Sequence, residues 1–416
     1  MGIILTDEQT QLIKDACEFV RSEKEQVFQY TAPAGAGKST VMHAIIDELG
    51  LNDDEVVAMA YTGAAAIVMR LNGFSSASTI HSTLYTPYLE ERVDQETGKI
   101  IRIPRFKFVP LDSNKIKLIV IDEASMVPYS MLKDILASNI PVIAAGDLNQ
   151  LPPVKDHPAF LFNGKIHYLT QIMRQNKHSA IVEISRMVSK GIQPKPGNYG
   201  DTIVVYNSEL NAEMIKSVDT IICGTNKTRE FLNTNIRRNI LHTDSPLPLY
   251  GEKLVCRQND WDTCVDGINL ANGLAGKVAS YPSISGFKNK TFKMDFIPDL
   301  FPNLRFVDLN CDYKYFTSDY KKRKEMKSNF MLNGAKSITE AEKFEFSYAI
   351  TTHISQGSQF MSGIYIQEYL NPSIQNNLNY TGITRFRRFC IYVIPDTRFM
   401  IPAKKSVVSV DGNPII

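Results

Sequence analysis

The 416-residue chain has almost no net charge: 46 Lys and Arg stand against 44 Asp and Glu, so no global field draws it to a polyanion. Any polyanionic partner must be held by local basic surface. Its six cysteines (Cys17, Cys223, Cys256, Cys264, Cys311, Cys390) show no CxxC and no Cys/His ligand spacing, which argues against a zinc site and for a reducing compartment. They read as small, buried apolar residues. No apolar run approaches the roughly 20 residues of a membrane span, and the first residues lack the charged-then-apolar layout of a secretory signal, so no membrane role is expected and a cytosolic protein is. With 44% hydrophobic residues the chain can build two or more domains with ordinary cores.

What the chain does contain is a phosphate cradle. The strand-like run Val27-Phe28-Gln29-Tyr30 leads into Ala32-Pro33-Ala34-Gly35-Ala36-Gly37-Lys38-Ser39-Thr40, and a helix-like run from Val41 follows. Gly35 and Gly37 let the backbone turn its N–H groups inward, and the positive end of the helix faces the same anion. Lys38 would reach the β- and γ-phosphates of a nucleotide and Ser39 would hold Mg²⁺. Ala32 stands where such a loop usually has its first glycine.

Two further strands end in polar residues suited to phosphate chemistry. Leu118-Ile119-Val120-Ile121 runs into Asp122-Glu123, a Mg²⁺-binding carboxylate followed by one that polarises water. Pro141 to Ala145 runs into Gly146-Asp147-Leu148-Asn149-Gln150-Leu151-Pro152-Pro153, in which Gln150 can sense the γ-phosphate. Arg174 ends a later strand-like run, with no role readable from its segment alone.

Several segments carry two readings each. Thr6 and Gln9 have capping-box spacing ahead of an amphipathic helix, and Gln9 is equally placed to pair with an adenine edge. Thr62, Ser78, Thr79 and His81 lie where a backbone phosphate could bind, and where an ordinary helix cap would also sit. From Thr83 to Asp112 a hairpin interrupts the strand-helix alternation, interleaving Lys99, Arg102, Arg105 and Lys107 with Phe106 and Phe108. That pattern suits single-stranded nucleic acid, while the acidic Glu90, Glu91, Asp94 and Glu96 suit a solvated hairpin. Lys321-Lys322-Arg323-Lys324 is likewise either a nucleic-acid contact or a solvated helix face.

Near the C-terminus stand Tyr348-Ala349-Ile350-Thr351-Thr352-His353-Ile354-Ser355-Gln356-Gly357-Ser358-Gln359-Phe360 and Tyr380-Thr381-Gly382-Ile383-Thr384-Arg385-Phe386-Arg387. With the earlier motifs in this order, the chain resembles superfamily 1 helicases, and within them the Dda-like and RecD-like group that moves 5′ to 3′. The resemblance covers about 6–175 and 348–388. It implies an α/β protein of two RecA-like P-loop motor domains with parallel sheets, a β-hairpin inserted in the first and a small SH3-like β domain in the second. The expected boundaries are 1–168 for the first motor domain with its hairpin at about 83–112, 169–244 with 345–416 for the second, and 245–344 for the insertion.

The resemblance also assigns roles. ATP would be bound by Gln9, Pro33, Ala34, Gly35, Ala36, Gly37, Lys38, Ser39, Thr40 and Gly357, with Mg²⁺ on Ser39 and Asp122. Glu123 and Gln150 would complete the hydrolytic set, joined by Arg174 and Arg385 from the opposite domain. Thr62, Ser78, Thr79, His81, Thr352 and His353 would meet single-stranded DNA. Gly382 departs from the small Ala or Ser usual at its place. The implied activity is ATP-dependent 5′-to-3′ DNA unwinding by a monomer in a bacterial or phage-infected cytosol. The partners implied are single-stranded DNA, a duplex fork, and replication or recombination proteins such as a single-strand-binding protein or polymerase. Two alternatives stay open: a translocase subunit of a recombination nuclease, and an ATP-gated DNA loader that does not unwind.

Overall fold

Apolar runs that end in small or polar residues become the strands of two parallel sheets. The computed structural model describes residues 5–22, 24–93, 100–154, 156–161, 164–171, 179–285, 291–333 and 341–396. In the first sheet six strands lie in the order Ser78–Thr79, Val56–Ala60, Leu118–Asp122, Val142–Gly146, Val27–Thr31, Ile166–Tyr168, every neighbouring pair parallel. Val120 joins one hydrophobic cluster while Ile119 and Ile121 join another, as in a strand buried on both faces. The carboxyl ends of the central strands deliver the P-loop, Asp122 and Asp147 to one rim, where an open α/β sheet binds its ligand.

The second sheet has the order Ala349–Thr351, Thr220–Cys223, Phe360–Ile366, Phe386–Ile394, Thr202–Tyr206, Gly197–Asn198; only the last pair is antiparallel. Its helix Pro372–Ile383 ends at the Thr384 cap, next to Arg385. Gly382 in that helix is explained by packing: a Cβ there would lie 2.0 Å from the Tyr365 ring, so even alanine would force the ring to move.

Within the second sheet's sequence, between Thr220–Cys223 and Ala349–Thr351, stands an antiparallel sheet that includes Lys253–Cys256, Ala275–Val278, Thr291–Pro298, Phe306–Asp312 and Phe344–Phe346. A boundary at 345 therefore falls inside a strand, because Phe346 and Phe344 still pair with Leu254 and Cys256. Asp266 (φ 49°) and Gly267 (φ 76°) make the tight turn of the hairpin Asp260–Val265/Ile268–Leu270. This unit also touches the first core. Ile67 of the helix Gly63–Leu71 packs into its hydrophobic cluster, and Arg70 Nη1 donates to the Gly267 carbonyl at 3.1 Å.

A second hairpin pairs Tyr85–Val93 with Ile100–Phe108, within the 83–112 expected for it, and 94–99 between its strands lie outside the described residues. Arg105 donates to Glu90 across it at 2.7 Å, so one of its basic residues is already paired. Arg323 turns inward to Glu345 at 3.0 Å, while Lys321, Lys322 and Lys324 stay exposed. Cys264 is exposed, against the expectation of burial; the other five cysteines are buried. Among the described residues no helix is long and apolar enough to cross a membrane.

Candidate nucleotide-binding cleft and DNA-facing helix ends

The P-loop forms where the strand Val27–Thr31 turns into the helix Lys38–Leu49. Gly37 caps that helix at φ 85°, a conformation glycine adopts freely, and a Cβ there would also meet the Gln9 amide at 2.7 Å. Ala32, in the first-glycine position, is fully buried and donates its N–H to the Gly146 carbonyl at 2.9 Å. Lys38 Nζ donates to the Ala32 carbonyl at 3.2 Å, and the buried Tyr30 hydroxyl donates to the Lys38 carbonyl at 3.1 Å. Gln9 forms the capping box with Thr6 and also donates to the Ala36 carbonyl at 3.1 Å. The amide assigned to adenine by resemblance is thus engaged with the helix start and the P-loop at once.

Beside the loop, burial and then the charge of Glu123 raise the Asp122 carboxyl above the ordinary carboxylate range, with Lys38 and Arg385 opposing. Glu123 sits at φ 51°, its N–H donated to Asp122 Oδ1 at 2.8 Å. Its Oε2 is buried without a hydrogen-bond partner, as is Ser125 Oγ. Orphaned acceptors beside a phosphate cradle fit a water and a hydrated cation. Among the described residues no three His, Cys, Asp or Glu cluster to form a protein-only metal cage. One hydroxyl and one carboxylate with phosphates and waters is instead the donor set Mg²⁺ prefers, so Ser39 and Asp122 fit it.

Arg385 crosses from the second core to the first. Its Nη2 donates to Gln150 Oε1 at 2.7 Å, Nη1 lies 3.7 Å from Glu123 Oε1, and Nε donates to the Thr381 carbonyl at 3.2 Å. The side chain is 4% exposed. Arg174 lies outside the described residues. A cavity of about 490 Å³ opens next to Pro33 and Ala34, walled on the far side by Ser185 and Arg186 of the helix Ala180–Ser189.

Sequence reasoning missed Asp147, Tyr380 and Asn377. Burial raises the Asp147 carboxyl, opposed by the Lys38 charge and by the Tyr380 hydroxyl, which donates to it at 2.7 Å. An acid directly after a buried strand, as Asp122 is an acid at the end of one, was the available signal.

The DNA candidates occupy helix starts. Thr62 caps the helix Gly63–Leu71, accepting from Ala65 N at 3.2 Å, and Thr79 caps Ile80–Leu84. Ser78 shares a hydrogen bond with Thr83. His81 keeps much of its surface open, stacked on Tyr85 at 4.8 Å and set edge-on to Phe106 at 4.5 Å, and partial desolvation lowers its pKa. His353 is half-buried, with its pKa lowered for the same reason. Thr352 differs from expectation: it is fully buried and its hydroxyl donates to the Cys223 carbonyl, so that side chain is spent inside the core. Gly357 differs too, because its Cβ position lies 2.8 Å from Ala65 N, against the Gly63–Leu71 helix rather than the P-loop. Thr225 also caps a helix, Asn226–Asn235, but unlike Thr62 it donates its N–H at 2.9 Å and its hydroxyl at 3.1 Å to the Glu368 carboxylate, which already occupies that helix start.

Comparison with known proteins agrees with this geometry. The AAA-domain family matches residues 4–206. Among curated proteins, an uncharacterized protein, MJ1519, of Methanocaldococcus jannaschii is 26% identical over 89% of this chain and 37% of its own length. The ATP-dependent RecD2 DNA helicase of Deinococcus radiodurans is 25% identical over 86% of this chain and 45% of its own length. The chain thus spans less than half the length of these relatives. Among solved structures, a Pif1 helicase complex at forked double-stranded DNA matches with TM-score 0.55 at 17% identity, covering 95% of each chain. Pif1 from Candida albicans gives 0.54 at 18%, covering 95% of each chain, and Bacteroides Pif1 bound to single-stranded DNA gives 0.53 at 18%, covering 95% of this chain and 96% of that one. At such identity the likeness is one of fold. In motif order, in the AAA-domain match over 4–206 and in fold, the chain is similar to superfamily 1 helicases of the Dda-like and RecD-like group.

Proposed function

We propose that the chain is an ATP-dependent DNA helicase that translocates 5′ to 3′ on single-stranded DNA and unwinds duplex. The observation that carries this reading is Arg385, delivered by the second core onto Gln150 and Glu123 at the P-loop of the first. A guanidinium placed there stabilises charge on a transferring phosphoryl group only while the two cores are together, which couples hydrolysis to closure. Lys38 exchanges the Ala32 carbonyl for phosphate oxygens. Glu123, through its unpartnered Oε2, orients and polarises the attacking water. Ser39 and Asp122 would hold Mg²⁺, which when bound neutralises phosphate charge. Arg174 is proposed as the second arginine of the cleft.

On the same carboxyl rim, farther along the sheet, the helix starts at Thr62 and Thr79 present N–H groups and hydroxyls suited to backbone phosphates, with His81 and His353 proposed to lie beside the same path. The protein is proposed to act as a monomer in the cytosol, with replication or recombination proteins as its partners. The hairpin Tyr85–Phe108 would be a fork wedge inserted in the first core, and the antiparallel sheet a β insertion in the second.

Unwinding of two forked substrates tests the reading, one with only a 5′ single-stranded tail and one with only a 3′ tail. Strand release from the 5′-tailed substrate alone, lost in Lys38→Ala, is the expected result. ATP turnover on single strands without strand release from either substrate would instead indicate a translocase or loader. Deleting 94–99 at the hairpin tip is expected to abolish unwinding yet spare DNA-stimulated ATP turnover; unchanged unwinding removes the wedge.

A further inference from the structure

The helix Pro372–Ile383 reads the whole loop that follows the strand Val142–Gly146. Asn377 Nδ2 donates to the carbonyls of Asn149 and Gln150, each at 3.1 Å, and to that of Leu148 at 3.4 Å. Thr381 Oγ1 accepts from Leu151 N at 2.9 Å. The one contact in this set that joins two side chains is Tyr380 to Asp147, donor to carboxylate, at 2.7 Å. It is buried at the junction, Asp147 being 1% and Tyr380 3% exposed. Asp147 Oδ1 is fixed in turn by Asn149 N at 3.0 Å, and Tyr380 shares a wall of the cavity with Ala34 of the P-loop.

Arg385 leaves the chain immediately beyond this helix, so its reach to Gln150 depends on how the helix registers against the loop. A buried, charge-assisted hydrogen bond is directional and strong, whereas the apolar contacts around it tolerate sliding. We propose that Tyr380 is a positioning residue of the ATPase: its bond to Asp147 sets the register of the second core on the first, and so places the Arg385 guanidinium on Gln150 and Glu123. The inference rests on the ATPase reading above. Tyr380 does not itself act on the phosphates; it decides where Arg385 stands.

The test is Tyr380→Phe in the full chain, compared with Tyr392→Phe. The control removes an equally buried hydroxyl that donates to Gln367 at 2.9 Å within the second core. Steady-state ATP turnover is measured with saturating oligo-dT. Tyr380→Phe is expected to lower kcat about ten- to a hundredfold, since a displacement near 1 Å costs that much, with KM for ATP shifting less than about twofold. Tyr392→Phe is expected to keep wild-type kcat. No drop in Tyr380→Phe, or an equal drop in both variants, overturns the proposal. A wild-type protein without ATP turnover would defeat the ATPase reading instead. The contraction on adding ADP and aluminium fluoride, followed by small-angle scattering, then decides the inference separately. Contraction in wild type but not in Tyr380→Phe supports it; equal contraction, or none in either, overturns it.

Discussion

Arg385→Ala is expected to lower single-strand-stimulated ATP turnover by about a thousandfold while leaving ATP affinity within a few-fold of wild type. The asymmetry follows from where the guanidinium sits. Its charge faces Gln150 and Glu123, at the place where phosphoryl charge spreads in the transition state, and it arrives from a core that does not carry the P-loop. Ground-state binding rests on the P-loop N–H groups and Lys38, which the substitution leaves in place. Arg385→Lys is expected to recover little, because one ammonium cannot span Gln150, Glu123 and the Thr381 carbonyl with a fixed fork of donors. Turnover measured beside the binding of a fluorescent ATP analogue checks the split; a loss smaller than about tenfold would remove Arg385 from the reaction.

Glu345→Gln should give the largest loss of stability, about 3–5 kcal/mol at neutral pH, because it strips the carboxylate from a buried cluster of guanidinium groups. Glu345 is 5% exposed and bonds to Arg229, with Arg323 at 3.0 Å, Arg257 at 3.4 Å and the Tyr315 hydroxyl donating at 2.9 Å. Burial alone would raise its carboxyl, yet Arg257, Arg229 and Arg323 together hold it down at about 2. Since the folded value lies below the unfolded one of about 4.3, the contribution is complete above the unfolded value and fades as pH falls through the folded one. Wild type and variant should therefore differ most near pH 7 and converge toward pH 2. Urea midpoints at neutral and acid pH measure this directly, and a gap that stays constant with pH would place the stabilisation elsewhere.

These two sites differ in how far the sequence announces them. The P-loop, Asp122-Glu123 and the loop after Val142–Gly146 are local: a strand, a turn and a polar residue lie within a few positions, and the parallel sheet that aligns them follows from strand-helix alternation. Arg385 was reachable only through the resemblance of its motif. Glu345 offered no signal, because the arginines that trap it come from distant parts of the chain, and the inward turn of Arg323 cannot be told from its lysine neighbours in sequence. Thr352 shows the reverse error. The resemblance places its hydroxyl against single-stranded DNA, but the adjacent strand Thr220–Cys223 presents a carbonyl that captures it.

Ile67 has a mechanical consequence. It belongs to the helix Gly63–Leu71 of the first core, yet it is seated in the hydrophobic cluster of the antiparallel sheet, with Arg70 pinned to Gly267 beside it. If the sheet swings with the second core as the cleft opens, this side chain must leave its socket and the exposed Arg70 bond beside it must break. Unseating an isoleucine costs about 1.5–3 kcal/mol, only a few times the thermal energy. The contact would then behave as a spring detent, firm enough to give the closed posture a definite click and weak enough that thermal motion alone can release it between strokes.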